Sequence, residues 1–259
     1  MIILLVLGLC LGSFVNAFVW RLHEKKDWVK GRSECPTCQH KLAAKDLVPV
    51  LSWLALGGRC RYCHKPISWQ YPVVELLTAG LFVFSYYFWP LALSGVGLFE
   101  FILWLVFVVG FMALAVYDLR WRILPNKVVY PLLVLAIAQT LVVSLWRKEL
   151  ATAWGALWGV VVLAGFFYGL FQVSKGRWIG GGDVKLGALL GLLVGGPLNS
   201  LLLLLIASLS GTLYTVPLML TGKAKRNSQI PFGPFLILAA IIVQLFGGAI
   251  IAWYKRLYY

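Results

Sequence analysis

The feature that most constrains this chain is a succession of long apolar runs, near 1–20, 72–93, 98–117, 128–146, 151–173, 184–198, 200–220 and 232–253. A helix needs roughly 20 predominantly apolar residues to cross about 30 Å of hydrocarbon. With 61% of its 259 residues hydrophobic and only 12% charged, the chain cannot hide such runs in a water-soluble core. The expected fold class is an all-α polytopic membrane protein of about eight transmembrane helices. The run at 184–198 is the shortest, and the turn at Gly195–Asn199 interrupts it.

The net charge of +14 raises the question of a nucleic-acid partner, and its distribution answers it. If the N-terminus is outside and each run crosses once, 19 of the 23 Lys and Arg fall in cytoplasmic segments. Ten lie between Arg21 and Gln70. Three more lie in each of the segments holding Arg120, Lys175 and Lys223, the last with Lys225 and Arg226. Such asymmetry orients a membrane protein and meets anionic lipid, so no nucleic acid is implied. No basic stretch precedes the first run, which reads as a spanning helix rather than a cleavable signal. The expected organisation is a first helix at 1–20, a small cytoplasmic domain at 21–71 and a membrane domain at 72–259.

Four of the five cysteines lie in that loop, as Cys35-Pro-Thr-Cys38 and Cys60-Arg-Tyr-Cys63. Two C-x-x-C pairs at this separation are a knuckle arrangement for one tetrahedral zinc. Gly57 and Gly58 permit a sharp turn before the second pair. About fifty residues bury little core, and a metal supplies the missing stability. Iron in the same cage is the alternative; disulfides do not suit a reducing compartment. His40 and His64 read as surface residues, and Cys10 as apolar packing within the first helix.

Among nine acidic residues, Glu75 suits the start of the second helix, while Glu100 and Glu149 flank outer connections. Asp118 ends one apolar run and Asp183 opens another, both at the cytoplasmic boundary. Asp183 could merely cap its helix, and Asp118 could merely pair with Arg120, Arg122 or Lys185. As a pair, the two carboxylates could share a proton and activate water against a peptide carbonyl. The glycines Gly180, Gly181 and Gly182 before Asp183 provide either a simple turn or a bare backbone that an unwound substrate can approach. Gly187, Gly191 and Gly195, with Gly155/Gly159 and Gly165/Gly169, read as close helix-packing faces. A proton-coupled transporter would also use paired membrane acids, and a zinc adaptor would need neither.

These residues resemble the type 4 prepilin peptidases, bifunctional membrane enzymes of the G-x-G-D aspartic protease class. The resemblance runs through "LGSFVNAFVWRL" (11–22), "SECPTCQHKL" (33–42), "DLVPVLSWLALGGRCRYCHKPISWQYPVVELLT" (46–78), "YDLRWRILPN" (117–126), "GGGDVKLGALLG" (180–191) and "IPFGPFL" (230–236). It implies removal of the basic leader from prepilins or pseudopilins of type IV pili or type II secretion, at the cytoplasmic face of the bacterial inner membrane. It also implies methylation of the new N-terminus with S-adenosylmethionine. By motif, Asp118 and Asp183 match the catalytic aspartates, Gly180 to Gly182 the active-site loop, and Cys35, Cys38, Cys60 and Cys63 the zinc tetrad. After Leu124-Pro125 the family commonly has aspartate, where this chain has Asn126. No G-x-G-x-x-G is present, so the methyltransferase half rests on the resemblance alone.

Overall fold

The computed structural model describes residues 1–27, 31–223 and 230–258, which leaves the basic residues Lys30, Lys225 and Arg226 outside the described residues. The described residues are helical, without strands. In order they form α1 (Ile2–His23), a 3-10 turn (Ala44–Asp46), α2 (Leu51–Ala55), α3 (Gln70–Tyr87), α4 (Gly95–Trp121) and α5 (Asn126–Arg147). There follow α6 (Leu150–Ser174), α7 (Gly181–Val194), α8 (Pro197–Leu220) and α9 (Gly233–Tyr258).

Each apolar run has become one helix. Six of these are long and apolar enough to cross a bilayer: α1, α4, α5, α6, α8 and α9. The other two fall short for different reasons. With 14 residues, α7 is about 21 Å long against roughly 30 Å of hydrocarbon. The 18 residues of α3 include Glu75 and a polar start. The protein is a multi-pass membrane protein, and the count of eight spans expected from sequence is met by six helices of spanning length and composition.

The chain divides into two compact units. Residues 1–88 and 104–113 form the first, which holds the cysteine loop. In it α1 packs along α3 through glycines that sequence periodicity did not single out. A Cβ on Gly8 would lie 2.5 Å from the Ala79 Cα, and one on Gly12 would lie 2.6 Å from the Glu75 Cα. Small residues allow such backbone approach where no hydrophobic drive operates between helices. Asn16 ties the pair further, donating to the Tyr71 carbonyl at 3.1 Å and accepting from the Gln70 amide at 3.1 Å. Cys10 is exposed on α1, not packed as its sequence context suggested.

Residues 89–103 and 114–259 form the second unit. Its tightest helix pair is α6 with α7, where a Cβ on Gly159 would lie 2.2 Å from the Gly191 carbonyl oxygen. Gly187 sits against Phe167 and Leu163 in the same seam. Gly165, Gly169 and Gly195 meet nothing within 4 Å, so the packing face is shorter than the glycine spacing implied. Gly195 instead ends α7, and the amide of Gly196 reaches back to the Gly155 carbonyl at 2.7 Å. Glu100 on α4 is ion-paired with Arg147 on α5 at 2.6 Å. Gly191→Val is expected to cost about 1–3 kcal/mol through overpacking, read as a lower thermal midpoint of the detergent-solubilised protein.

Candidate active site and metal centre

The metal centre is built from two copies of one local structure. Cys35 and Cys60 each open a tight turn whose fifth residue, Gln39 or His64, takes positive φ (57° and 55°). In each, that residue's amide donates to the first cysteine carbonyl, at 2.8 and 3.0 Å. The first cysteine's amide then donates to the next carbonyl, of His40 at 3.0 Å or Lys65 at 2.9 Å. Antiparallel bridges Glu34–Lys41 and Arg59–Pro66 close both turns. This short duplication was not legible as a repeat, because little beyond the cysteines is shared in sequence.

The four Sγ atoms lie within 4.8 Å of one another, with Cys35 and Cys63 3.9 Å apart. Four thiolates around zinc at about 2.3 Å would be about 3.8 Å apart, so these residues fit a tetrahedral metal ion. Burial works against ionisation of Cys35, yet amide donors from Cys38 and Thr37 and the Cys38 and Cys60 thiols bring it down to about 7. At Cys63 the Lys65 amide favours the thiolate, but burial and the crowding of Cys60, Cys38 and Cys35 outweigh it and push the thiol up to about 11. A cation bound among them would favour the thiolate form. Asp46 braces the second knuckle. Its carboxylate accepts from Arg61 at 2.7 Å, the Tyr62 hydroxyl at 3.0 Å and the Ala43 amide at 3.2 Å. His40 stacks on Tyr62 with ring centroids 3.6 Å apart.

The two aspartates lie in the second unit. Asp118 occupies the last turn of α4 and is 5% exposed. Its Oδ2 accepts the Gly233 amide at 3.1 Å, from the start of α9. Among the described residues neither aspartate is in an ion pair; Lys185 donates instead to Asn126 at 2.9 Å and lies over the Tyr130 ring. Pairing of Asp118 with a neighbouring cation is therefore not its role. Asp183 stands at the third position of α7, where its Oδ2 accepts the Gly180 amide at 3.3 Å. It does cap its helix, as one sequence reading held. It also lies within electrostatic reach of Asp118.

The triple glycine turns out not to be a turn. The chain reverses at Lys175 and Gly176, which take positive φ, whereas Gly180 is extended and Gly181 begins the helix. What the glycines share is missing side chains. A Cβ on Gly182 would lie 3.1 Å from the Leu124 Cβ, while Gly180 and Gly181 have room. Leu124 also lies 3.4 Å from a Cβ built on Gly233. One half-buried leucine thus packs between two glycines, one beside each aspartate. Sequence reasoning assigned no role to Leu124 or Gly233; the single signal was the proline-flanked P-F-G-P at 231–234. A Cβ on Gly233 would lie 2.7 Å from Asp118 Oδ2. Gly233→Ala is therefore expected to displace that carboxylate and lower turnover about 10²-fold, the scale of a 1 Å misplacement, measured as the initial rate of the cleavage that the sequence resemblance implies.

Fold and site together define a class: a helical multi-pass membrane protein carrying a four-thiolate knuckle and a pair of aspartates at helix ends. Comparison with known proteins narrows it. The model of the bacterial peptidase A24 N-terminal domain matches residues 6–89, and that of the type IV leader peptidase family matches residues 105–216. The prepilin leader peptidase/N-methyltransferase of Stutzerimonas stutzeri is 34% identical, over 97% of this chain and 92% of the relative. The protein of the same name from Bacillus subtilis (strain 168) is 30% identical over 98% of each chain. That of Aeromonas hydrophila is 36% identical over 86% of this chain and 74% of its own. No solved structure gives a significant match. The chain belongs to the type IV leader peptidase family.

Proposed function

We propose that this protein is an aspartic endopeptidase that removes the leader from type IV prepilins or pseudopilins at the cytoplasmic face of the bacterial inner membrane. With S-adenosylmethionine it then methylates the amine so exposed. The observation that carries the first activity is the buried Asp118 carboxylate, held by the Gly233 amide within electrostatic reach of Asp183. The distribution of Lys and Arg supports the inner face. The names of the relatives support both activities and lend nothing to a transporter.

In this reading one proton is shared by the two carboxyl groups. The ionised one takes a proton from water as the water oxygen bonds to the scissile carbonyl carbon. The protonated one gives its proton to the carbonyl oxygen, forming a gem-diol. The amide nitrogen then takes the proton first abstracted, the C–N bond breaks, and a diol hydroxyl returns its proton to the partner. Both groups end as they began. Gly180 and Gly181, without side chains, leave room for an unwound substrate backbone.

Cys35, Cys38, Cys60 and Cys63 would hold zinc, whose chemistry there is structural closure of the loop. The methyl donor supplies the methyl group when bound. The described residues contain no strand–helix unit of the dinucleotide-binding kind. Mass spectrometry of a prepilin co-expressed with this chain tests the proposal. The expected product lacks the leader and carries one methyl group on its new N-terminus; an intact prepilin would reject the peptidase, and a trimmed, unmethylated one the methyltransferase.

A further inference from the structure

Within the polar, cysteine-bearing loop, residues 47–58, "LVPVLSWLALGG", carry no charge. They include α2, and the apolar side chains point outward: Leu47, Val48, Leu51 and Leu54 are all exposed, the last two by 60% or more. In a domain surrounded by water this patch would be a liability. Its position in the first unit accounts for it.

The position is set by hydrogen bonds. The Val50 amide donates to Glu75 Oε2 at 2.7 Å. Glu75 is 6% exposed and also accepts from the Ser13 side chain, and its Cα is the atom that a Cβ on Gly12 would strike. Val50 is therefore at the level of Gly12 and Ser13 on α1. Those residues are the midpoint of a 22-residue candidate span, about 15 Å before its last residue. A helix about 33 Å long barely exceeds the roughly 30 Å of hydrocarbon. The reach of one glutamate side chain and one hydrogen bond is shorter than the 15 Å needed to bring Val50 out to the surface.

The backbone at this point is also strained. Val50 has φ 61° and ψ −49°, and the Leu51 amide closes on the Pro49 carbonyl at 2.6 Å. This is the rare γ-turn of opposite sign to the common one, at a β-branched residue. Such a turn persists only where its surroundings hold it, and the buried carboxylate is what holds it. Both polar side chains of the segment are met internally, as hydrocarbon favours. The Ser52 hydroxyl donates to the Val48 carbonyl at 2.6 Å, and the Trp53 indole to the Ile67 carbonyl at 3.2 Å. Trp53 packs against Trp69 with ring centroids 4.2 Å apart and the rings tilted by 52°. Trp69 lies just before Gln70, which is bonded to Asn16, one turn nearer the end of α1 than Gly12.

We infer that residues 47–56 form a re-entrant element of the knuckle module, anchored by Glu75 and facing lipid acyl chains with Leu51 and Leu54. The partner of this surface is the bilayer itself, continuous with the lipid face of α1. The cysteine cage thereby sits against the membrane.

The test is a photoreactive benzophenone amino acid at position 54 of the full-length, metal-loaded protein in phosphatidylethanolamine–phosphatidylglycerol vesicles. The same label at the exposed position 45 is the control. Normal metal content of each labelled protein verifies folding. Irradiation is expected to yield an adduct with one phospholipid, attached through its acyl chain, at 54 and none at 45. Cross-linking of 54 to a second copy or to added prepilin would overturn the inference, as would equal lipid adducts at both positions or none at either. Glu75→Gln keeps an acceptor for the Val50 amide and should retain the lipid adduct at 54, whereas Glu75→Ala should lose it.

Discussion

Asp183→Asn is expected to abolish leader removal, with at least about a 10³-fold fall in the cleavage rate. Asparagine is nearly isosteric, and its amide oxygen can still accept the Gly180 amide that Asp183 now caps at 3.3 Å. Folding and membrane insertion should therefore persist. What disappears is the ability to hold or release a proton. Asp118→Asn should have the same effect, since its oxygen can still accept the Gly233 amide at 3.1 Å. The double substitution should be no worse than either single one, because two groups that share one proton act as a unit. The measurement is the rate of prepilin cleavage in membranes, normalised to the amount of enzyme. Full-rate cleavage by either variant would remove that carboxylate from the mechanism.

Replacing Cys35 and Cys38 with Ser is expected to release the metal and unfold the knuckles. A structural zinc in a small domain contributes about 10–16 kcal/mol in apparent binding energy, far more than the rest of this loop can supply. Removing one knuckle leaves Cys60 and Cys63 alone, without the geometry for tight binding. Metal analysis of the purified wild type should find about one zinc per chain, and that of the variant essentially none. Limited proteolysis should then cut near the cysteine turns, at residues 31–46 and 57–69, in the variant while the long helices stay intact. A colourless, zinc-free wild type would sink the metal assignment, and visible charge-transfer absorption would replace zinc with iron. Asp46 offers an internal comparison. It braces Arg61 and Tyr62 but contributes no ligand, so its loss should weaken the second knuckle without emptying the cage.

Much of this architecture was legible because membrane insertion imposes a coarse rule. Every apolar run became a helix, since a backbone in lipid can satisfy itself only within its own segment. The cysteine pairs were legible because a tetrahedral ion demands two ligands from each tight turn. Asp118 and Asp183 stood out because carboxylates at the ends of apolar helices are costly without a purpose. The parts that were not legible share one property. Gly233 bonds Asp118 across 115 positions, Glu75 takes the amide of Val50, and Leu124 packs between two glycines from distant segments. None of these contacts has a period or a local spacing. Asn126 shows the same limit: as a departure from the family pattern it was conspicuous, but that it receives the Lys185 amine at 2.9 Å could be seen only in three dimensions.

Two glycine patterns mark the boundary between the two kinds of knowledge. The four-residue spacing of Gly187 and Gly191 correctly announced a close helix contact, because residues four apart share one face of a helix. The run Gly180-Gly181-Gly182 allowed either a turn or a bare backbone, and the positive-φ residues Lys175 and Gly176 lie before it. Sequence by itself determined the helices, the two cysteine pairs and the two acids at helix ends, because each follows from the local cost of placing polar groups in lipid or from a spacing that fits one tight turn. Only the tertiary structure decided which backbone amide steadies Asp118, which side chain fills the gap beside the glycines, and which carboxylate takes the Val50 amide. Those depend on the positions of whole helices, and helix packing in a bilayer is set by the sum of many weak contacts that no short stretch of sequence contains.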